Sequence, residues 1–189
     1  MTEIDIINLA LIELGDRTIS ARSEDNERAK TMDKIFDGTR DEVLRMCPWT
    51  FARTRVSIAA DPTDPLWGYG NRYALPADFL YMMGVEGIED YTIEEGYIHA
   101  NSSSGVADTA LNVKYIKRVT DMSKADSLFV QALALKLAFK ACEKITQSNT
   151  KKDQYRFDYE QVAADAKRLN GQETTPYFFK EDEWITEMQ

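Results

Sequence analysis

Hydrophobic spacing switches twice along this chain, from helical period to short turn-bounded runs and back, and that switch limits the fold more than any single motif. Ile4, Ile7, Leu11 and Leu14 recur at intervals of three and four, which predicts an amphipathic helix stopped by Gly15. Asp16 to Ser23 is an aperiodic connector ending at Ser23 or Asp25, either of which can cap the next helix. From Glu24 onward Ala29, Met32, Phe36, Thr39, Val43 and Met46 form a long helical stripe, widened by Ile35 and Leu44. Gly38 interrupts it at a cost of about 1 kcal/mol relative to Ala, which predicts close packing or a bend there. Pro48 forbids normal continuation beyond Cys47.

The middle of the chain reads as strands. Asp61-Pro62-Thr63-Asp64-Pro65 and Gly68-Tyr69-Gly70-Asn71 are turn clusters, and the segments around them are short and rich in Tyr, Val and Ile. Strands are predicted at Arg53 to Ile58, Arg72 to Leu75, Leu80 to Ile88, Tyr91 to Glu94, Tyr97 to Ala100 and Leu111 to Arg118. Several links are too short for parallel crossovers, so antiparallel pairing follows. Asn101 to Gly105 reads as a polar loop tip.

Helical spacing returns at Asp126. Leu128, Ala132, Leu135, Phe139 and Cys142 form one stripe, and Val130, Leu133, Leu137 and Ala141 fill much of the remaining surface, as expected of a helix packed on several sides. A last helix from Lys151, ending before Gly171, carries Tyr155, Tyr159, Val162, Ala166 and Leu169 on one side and should run antiparallel to its predecessor. The expected fold class is mainly α with a β insertion, an α+β helical bundle carrying a small antiparallel β subdomain. Residues 1–50 and 124–171 would form the bundle, 51–123 the β insertion, and 172–189 an extended acidic and aromatic tail.

Composition narrows function. With 32 acidic residues against 23 Lys and Arg, the formal charge of -9 repels phosphates and anionic headgroups, which disfavours sequence-specific DNA binding. Apolar runs are too short for a membrane helix, and the first residues lack the basic start of a signal peptide, so no membrane association is expected. Cys47 and Cys142, far apart in sequence, fit buried thiols better than a disulfide. A single histidine, His99, and two distant cysteines provide no metal-ligand spacing, and Gly68-Tyr69-Gly70 precedes no helix that would present amides to a phosphate. Neither a metal nor a cofactor is expected, nor any catalytic residue. Asp78 with Glu94 or Glu95 is the best carboxylate pairing for glycoside hydrolysis, but acidic residues abound here. Arg40, Arg45, Arg53 and Arg55 interleave with Trp49 and Phe51 as a nucleic-acid stacking surface would. The aromatics directly follow a helix and its proline, however, where such rings wedge into a junction.

Leu9-Ala10-Leu11-Ile12-Glu13-Leu14-Gly15, then a helix holding Ala29 and Arg40, then Trp49-Thr50-Phe51-Ala52 resembles the phage head-to-tail adaptor family called tail tubular protein A, or gatekeeper, of short-tailed phages. Tyr73-Ala74-Leu75-Pro76-Ala77-Asp78-Phe79-Leu80 looks like that family's signature after the first turn-rich stretch, and the Leu128 to Ile145 helix like its apolar third helix. The resemblance spans about Leu9 to Leu169, and rests on the order and spacing of motifs that are individually weak. It implies a non-enzymatic structural subunit in a dodecameric ring between the portal protein and the tail nozzle protein, with DNA passing through without sequence-specific binding. It implies a virion location after assembly in the host cytoplasm. Trp49, Phe51, Tyr73, Leu75, Pro76 and Phe79 carry over as structural signature residues.

Beyond Gly171 the resemblance ends. Tyr177, Phe178, Phe179 and Trp184 stand among Glu173, Glu181, Asp182, Glu183 and Glu187, which suggests docking on the portal or a neighbouring subunit. The alternative functional reading is a virion-borne module that binds or hydrolyses polysaccharide through the acidic β region. A third is a soluble helical regulatory module whose tail is a peptide docking motif.

Overall fold

The computed structural model of the chain describes residues 1–101, 110–146 and 149–172. Among these it is a mixed α+β fold of four α-helices and two small antiparallel sheets. Helix α1 (Glu3–Leu14) starts at a capping box, in which Thr2 and Asp5 each accept the other's backbone N–H, and ends at Gly15 with φ +74°. Its buried face is Ile6, Ile7, Ala10, Leu11 and Leu14, with Ile4 half-buried at the edge of the expected stripe.

Helix α2 (Glu27–Met46) begins later than the spacing suggested. Asn26 is its cap, accepting from the Ala29 N–H at 2.8 Å, whereas Glu24 turns back to accept the N–H groups of Ser20 and Ala21 and closes the connector on itself. Gly38 faces solvent, and a Cβ built there meets nothing within 4 Å, so close packing does not explain this glycine.

Helix α3 (Ser127–Thr146) opens with the Asp126 carboxylate accepting from the Leu128 N–H at 2.8 Å. It packs against α1, α2 and α4 (Asn149–Gln172), so its apolar residues are buried on several sides. Lys152 pairs with Glu143 at 2.7 Å while Lys136 lies 4.4 Å from the centre of the Tyr159 ring, so α4 runs antiparallel to α3. Helix α4 passes through Gly171 rather than stopping before it. Leu169 faces outward, and Asn170 takes a buried position by donating its side-chain amide to the Ala166 carbonyl at 2.9 Å.

The strands are β1 (Arg53–Ala59), β2 (Asn71–Ala74), β3 (Phe79–Val85), β4 (Tyr91–Glu94), β5 (Tyr97–Ala100) and β6 (Ala110–Lys117). They form two three-stranded sheets, ordered β1-β6-β3 and β2-β5-β4. Only β4 and β5 make a sequential two-residue hairpin; Glu95 and Gly96 turn it with φ of 49° and 85°, the left-handed pair that a tight hairpin requires. Strand β3 ends at Val85 instead of reaching Ile88, because the chain turns at Gly87 and Ile88 bridges back to Val85.

Apolar burial divides into two clusters. The larger gathers all four helices with Trp49, Leu80 and Ile116; the smaller joins Tyr73, Ile98 and Ala100 of one sheet to Met82, Leu111, Val113 and Tyr115 of the other. Strands β3 and β6 therefore contribute to both.

Candidate functional site

The signature residues sit where the chain passes between structural layers. Trp49 is fully buried after α2, donates its indole N–H to the Val43 carbonyl at 2.9 Å, and meets Phe129 of α3 edge-on at 5.3 Å. Phe51 completes the group, 5.1 Å from Phe129. Three interlocked rings thus fix the turn from α2 into β1, each aromatic pair adding roughly 0.5–1.5 kcal/mol beyond burial. Neither ring forms an exposed stacking surface for nucleic acid.

The nearby arginines have different fates. Arg40, only 5% exposed, is held by Asp37 at 2.9 Å and Asp41 at 3.0 Å, and the second oxygen of Asp41 accepts from Arg118 at 2.7 Å. Arg22 bonds Glu3, Asp33 and Asp37; burial pulls its basicity down, but those three carboxylates outweigh burial and hold it above the ordinary value. Arg53 donates to the Pro48 carbonyl at 2.8 Å. Arg45 and Arg55 are exposed. The cluster seen in sequence is therefore divided between an internal ion network and the surface.

Tyr73, Leu75, Pro76 and Phe79 link the two sheets. Tyr73 is fully buried in the smaller cluster, the Leu75 N–H reaches the Gly96 carbonyl at 2.9 Å, and the Pro76 carbonyl accepts from the Phe79 N–H at 3.0 Å. Asp78 accepts the Tyr115 hydroxyl at 2.8 Å, and the Phe79 ring lies 5.7 Å from the Tyr115 ring. Burial first, then the Asp78 carboxylate, push the Tyr115 hydroxyl up to about 12. Asp78 is thereby engaged in a structural bond, while Glu94 and Glu95 lie exposed at the β4–β5 turn. His99 lies in the central strand β5, opposite Arg72 and Thr92, with its ring 6.5 Å from Tyr69. Cys47 and Cys142 are both buried thiols.

Sequence reasoning missed the most exposed apolar feature among the described residues. Leu66 and Trp67, 100% and 87% exposed, form the tip of the loop between β1 and β2. Its base is pinned: Asp61 bonds Arg72 at 3.0 Å, Tyr69 donates to Asp90 at 3.0 Å, and the Gly70 N–H reaches Asn101 at 2.8 Å. The available signal was a large apolar pair inside a turn cluster, where no core can receive it.

The opposite half offers a second apolar surface. Met1 just before α1 and Leu9 and Ile12 on it are exposed, and a groove of about 420 Å³ runs between α1 and α3, floored by Leu9, Val130, Ala134 and Leu135. Among the described residues no group of three His, Cys, Asp or Glu is placed to hold a metal ion, and no helix is long and apolar enough to cross a membrane. Tyr177, Phe178, Phe179, Trp184 and the loop residues 102–105 lie outside the described residues. The chain matches no protein-family model and no curated protein.

Proposed function

We propose that this chain is a structural subunit of a head-to-tail adaptor in a short-tailed phage, a helical bundle with a β insertion that works in a ring between portal and tail nozzle. The observation that carries the reading is the ordered series Leu9 to Gly15, Trp49 to Ala52 and Tyr73 to Leu80, which resembles the tail tubular protein A family. Its aromatic members lie at the joints between layers, where a family-wide signature would have a structural reason to persist.

A closed ring needs heterologous contacts, in which one surface of each subunit meets a different surface of the next. The Leu66–Trp67 loop and the exposed Ile12 side of α1 would supply two such surfaces, in different halves of the fold. A net charge of -9 suits a passage through which DNA slides without being gripped. In this reading the ring is a dodecamer in the virion, and Trp184 in the segment beyond Gly171 supplies a contact to the portal or a neighbour. Mass photometry of the chain mixed with purified portal rings tests it: a single added mass of about one ring is expected, and unchanged portal mass at saturating subunit overturns it.

The exposed face of Trp67 favours one second reading, a carbohydrate-binding module, because a bare aromatic plane can stack on a sugar ring. Retardation in a gel containing host polysaccharide, lost in Trp67→Ala, would support that alternative.

A further inference from the structure

We infer that residues 173–189 dock in the groove between α1 and α3 of their own subunit, with Tyr177, Phe178 and Phe179 filling it and Lys180 meeting Glu13. The inference does not depend on the adaptor reading.

The exit point of the segment comes first. Tyr159 of α4 lies against Lys136 of α3 and Lys152 against Glu143, so in antiparallel helices of equal rise Arg168 comes level with Ser127. Lys167 and Asp126 independently act on the same thiol, Cys47, which places both near it. The chain therefore leaves α4 beside the start of α3, where Met122, Ser123 and Ala125 form one end of the groove. Glu13 marks the other end, since its carbonyl accepts the Tyr155 hydroxyl at 2.5 Å and Tyr155 lies one helical turn before Tyr159.

Length and chemistry then agree. From Gln172 to Tyr177 an extended chain spans about 17 Å, more than the roughly 10–12 Å diameter of the helix it must pass. The groove between Ser127 and Leu135 is about 12 Å long at 1.5 Å per residue, and Tyr177 to Lys180 extended covers about 10 Å. A volume of about 420 Å³ lies within the roughly 300–1,000 Å³ of pockets that hold ligands. Its lining is mainly apolar, as three consecutive aromatic residues require, and its exposed acid at the far end falls where the segment's single cation, Lys180, arrives. A tether this short gives an effective concentration on the order of millimolar, so the subunit's own groove is favoured over that of another copy.

A disulfide trap in the full chain tests this, because Cys47 and Cys142 are buried and Gln131 is exposed on the groove. Gln131→Cys with Phe178→Cys should oxidise to an intrachain bridge at about 10 µM protein. Adding Ala134→Arg, which fills the groove, should slow bridging at least about tenfold, as a tether merely within reach would not. Glu13→Lys should also slow it, and Lys180→Glu in the same chain should restore it. Bridging between chains only, no bridging, or a rate indifferent to both Ala134→Arg and the charge exchange would overturn the inference. Circular dichroism matching the parent chain shows that each variant is folded.

Discussion

The two apolar clusters differ in how they are built. The helical cluster closes around α3, a helix buried on several sides, and uses Trp49, Phe51 and Phe129 to lock the entry into β1. The β cluster is smaller, formed between two three-stranded sheets, with Tyr73 and Ile98 its fully buried large side chains. A core wrapped around a central helix should set global stability, whereas a thin core between short sheets should open locally at lower cost. The Leu66–Trp67 loop, the most exposed apolar pair among the described residues, projects from that second half.

Trp49→Ala should be the most damaging single change, costing about 3–5 kcal/mol and leaving the Val43 carbonyl without its indole partner. Urea denaturation followed by circular dichroism checks it; a loss below about 1 kcal/mol would show that the three-ring joint is dispensable. Ile98→Ala should cost about 2–5 kcal/mol but chiefly within the β half. Amide exchange should therefore quicken in β2, β4 and β5 while the central amides of α3 keep their protection; equal acceleration in both would show a single cooperative core.

Smaller effects sharpen the contrast from the helical side. Gly38→Ala should stabilise by about 0.8–1 kcal/mol, because a solvent-facing helix position gains propensity with nothing to clash against. A destabilised variant in thermal melts would show that the glycine serves a bend. The Glu42 pairs should matter least at neutral pH, under about 1 kcal/mol after solvent screening. Burial alone would raise the Glu42 carboxyl, but Lys140 and Lys136 outweigh it and hold it below its ordinary 4.5. Its contribution is thus fully present above that value and lost as pH falls through the lower folded value. The stability gap between the parent chain and Glu42→Gln should close on acidification below 4.5, and a gap that widens would reverse the assignment.

Much of this arrangement was legible because local physics records it. Turn residues divided the middle of the chain, and the six strands fall within a few residues of the expected segments. Pairing was less legible: β1 joins β6 across more than fifty residues, and only tertiary contact decides such a partner. Helix starts shifted where two polar residues competed, as when Asn26 capped α2 and Glu24 closed the connector. The fate of the arginines was hidden for the same reason, since Arg40 is buried only because Asp37, Asp41 and Glu3 converge on it in space. Leu66 and Trp67 stood in plain view, but turn grammar hid an apolar pair that has no core to enter.

The proposed role is tested most directly by electron cryomicroscopy of filled capsids carrying this chain with a small fused tag. Extra density in a ring at the collar beneath the portal vertex is the predicted result. Tag density elsewhere on the particle, with the collar unchanged, would contradict it.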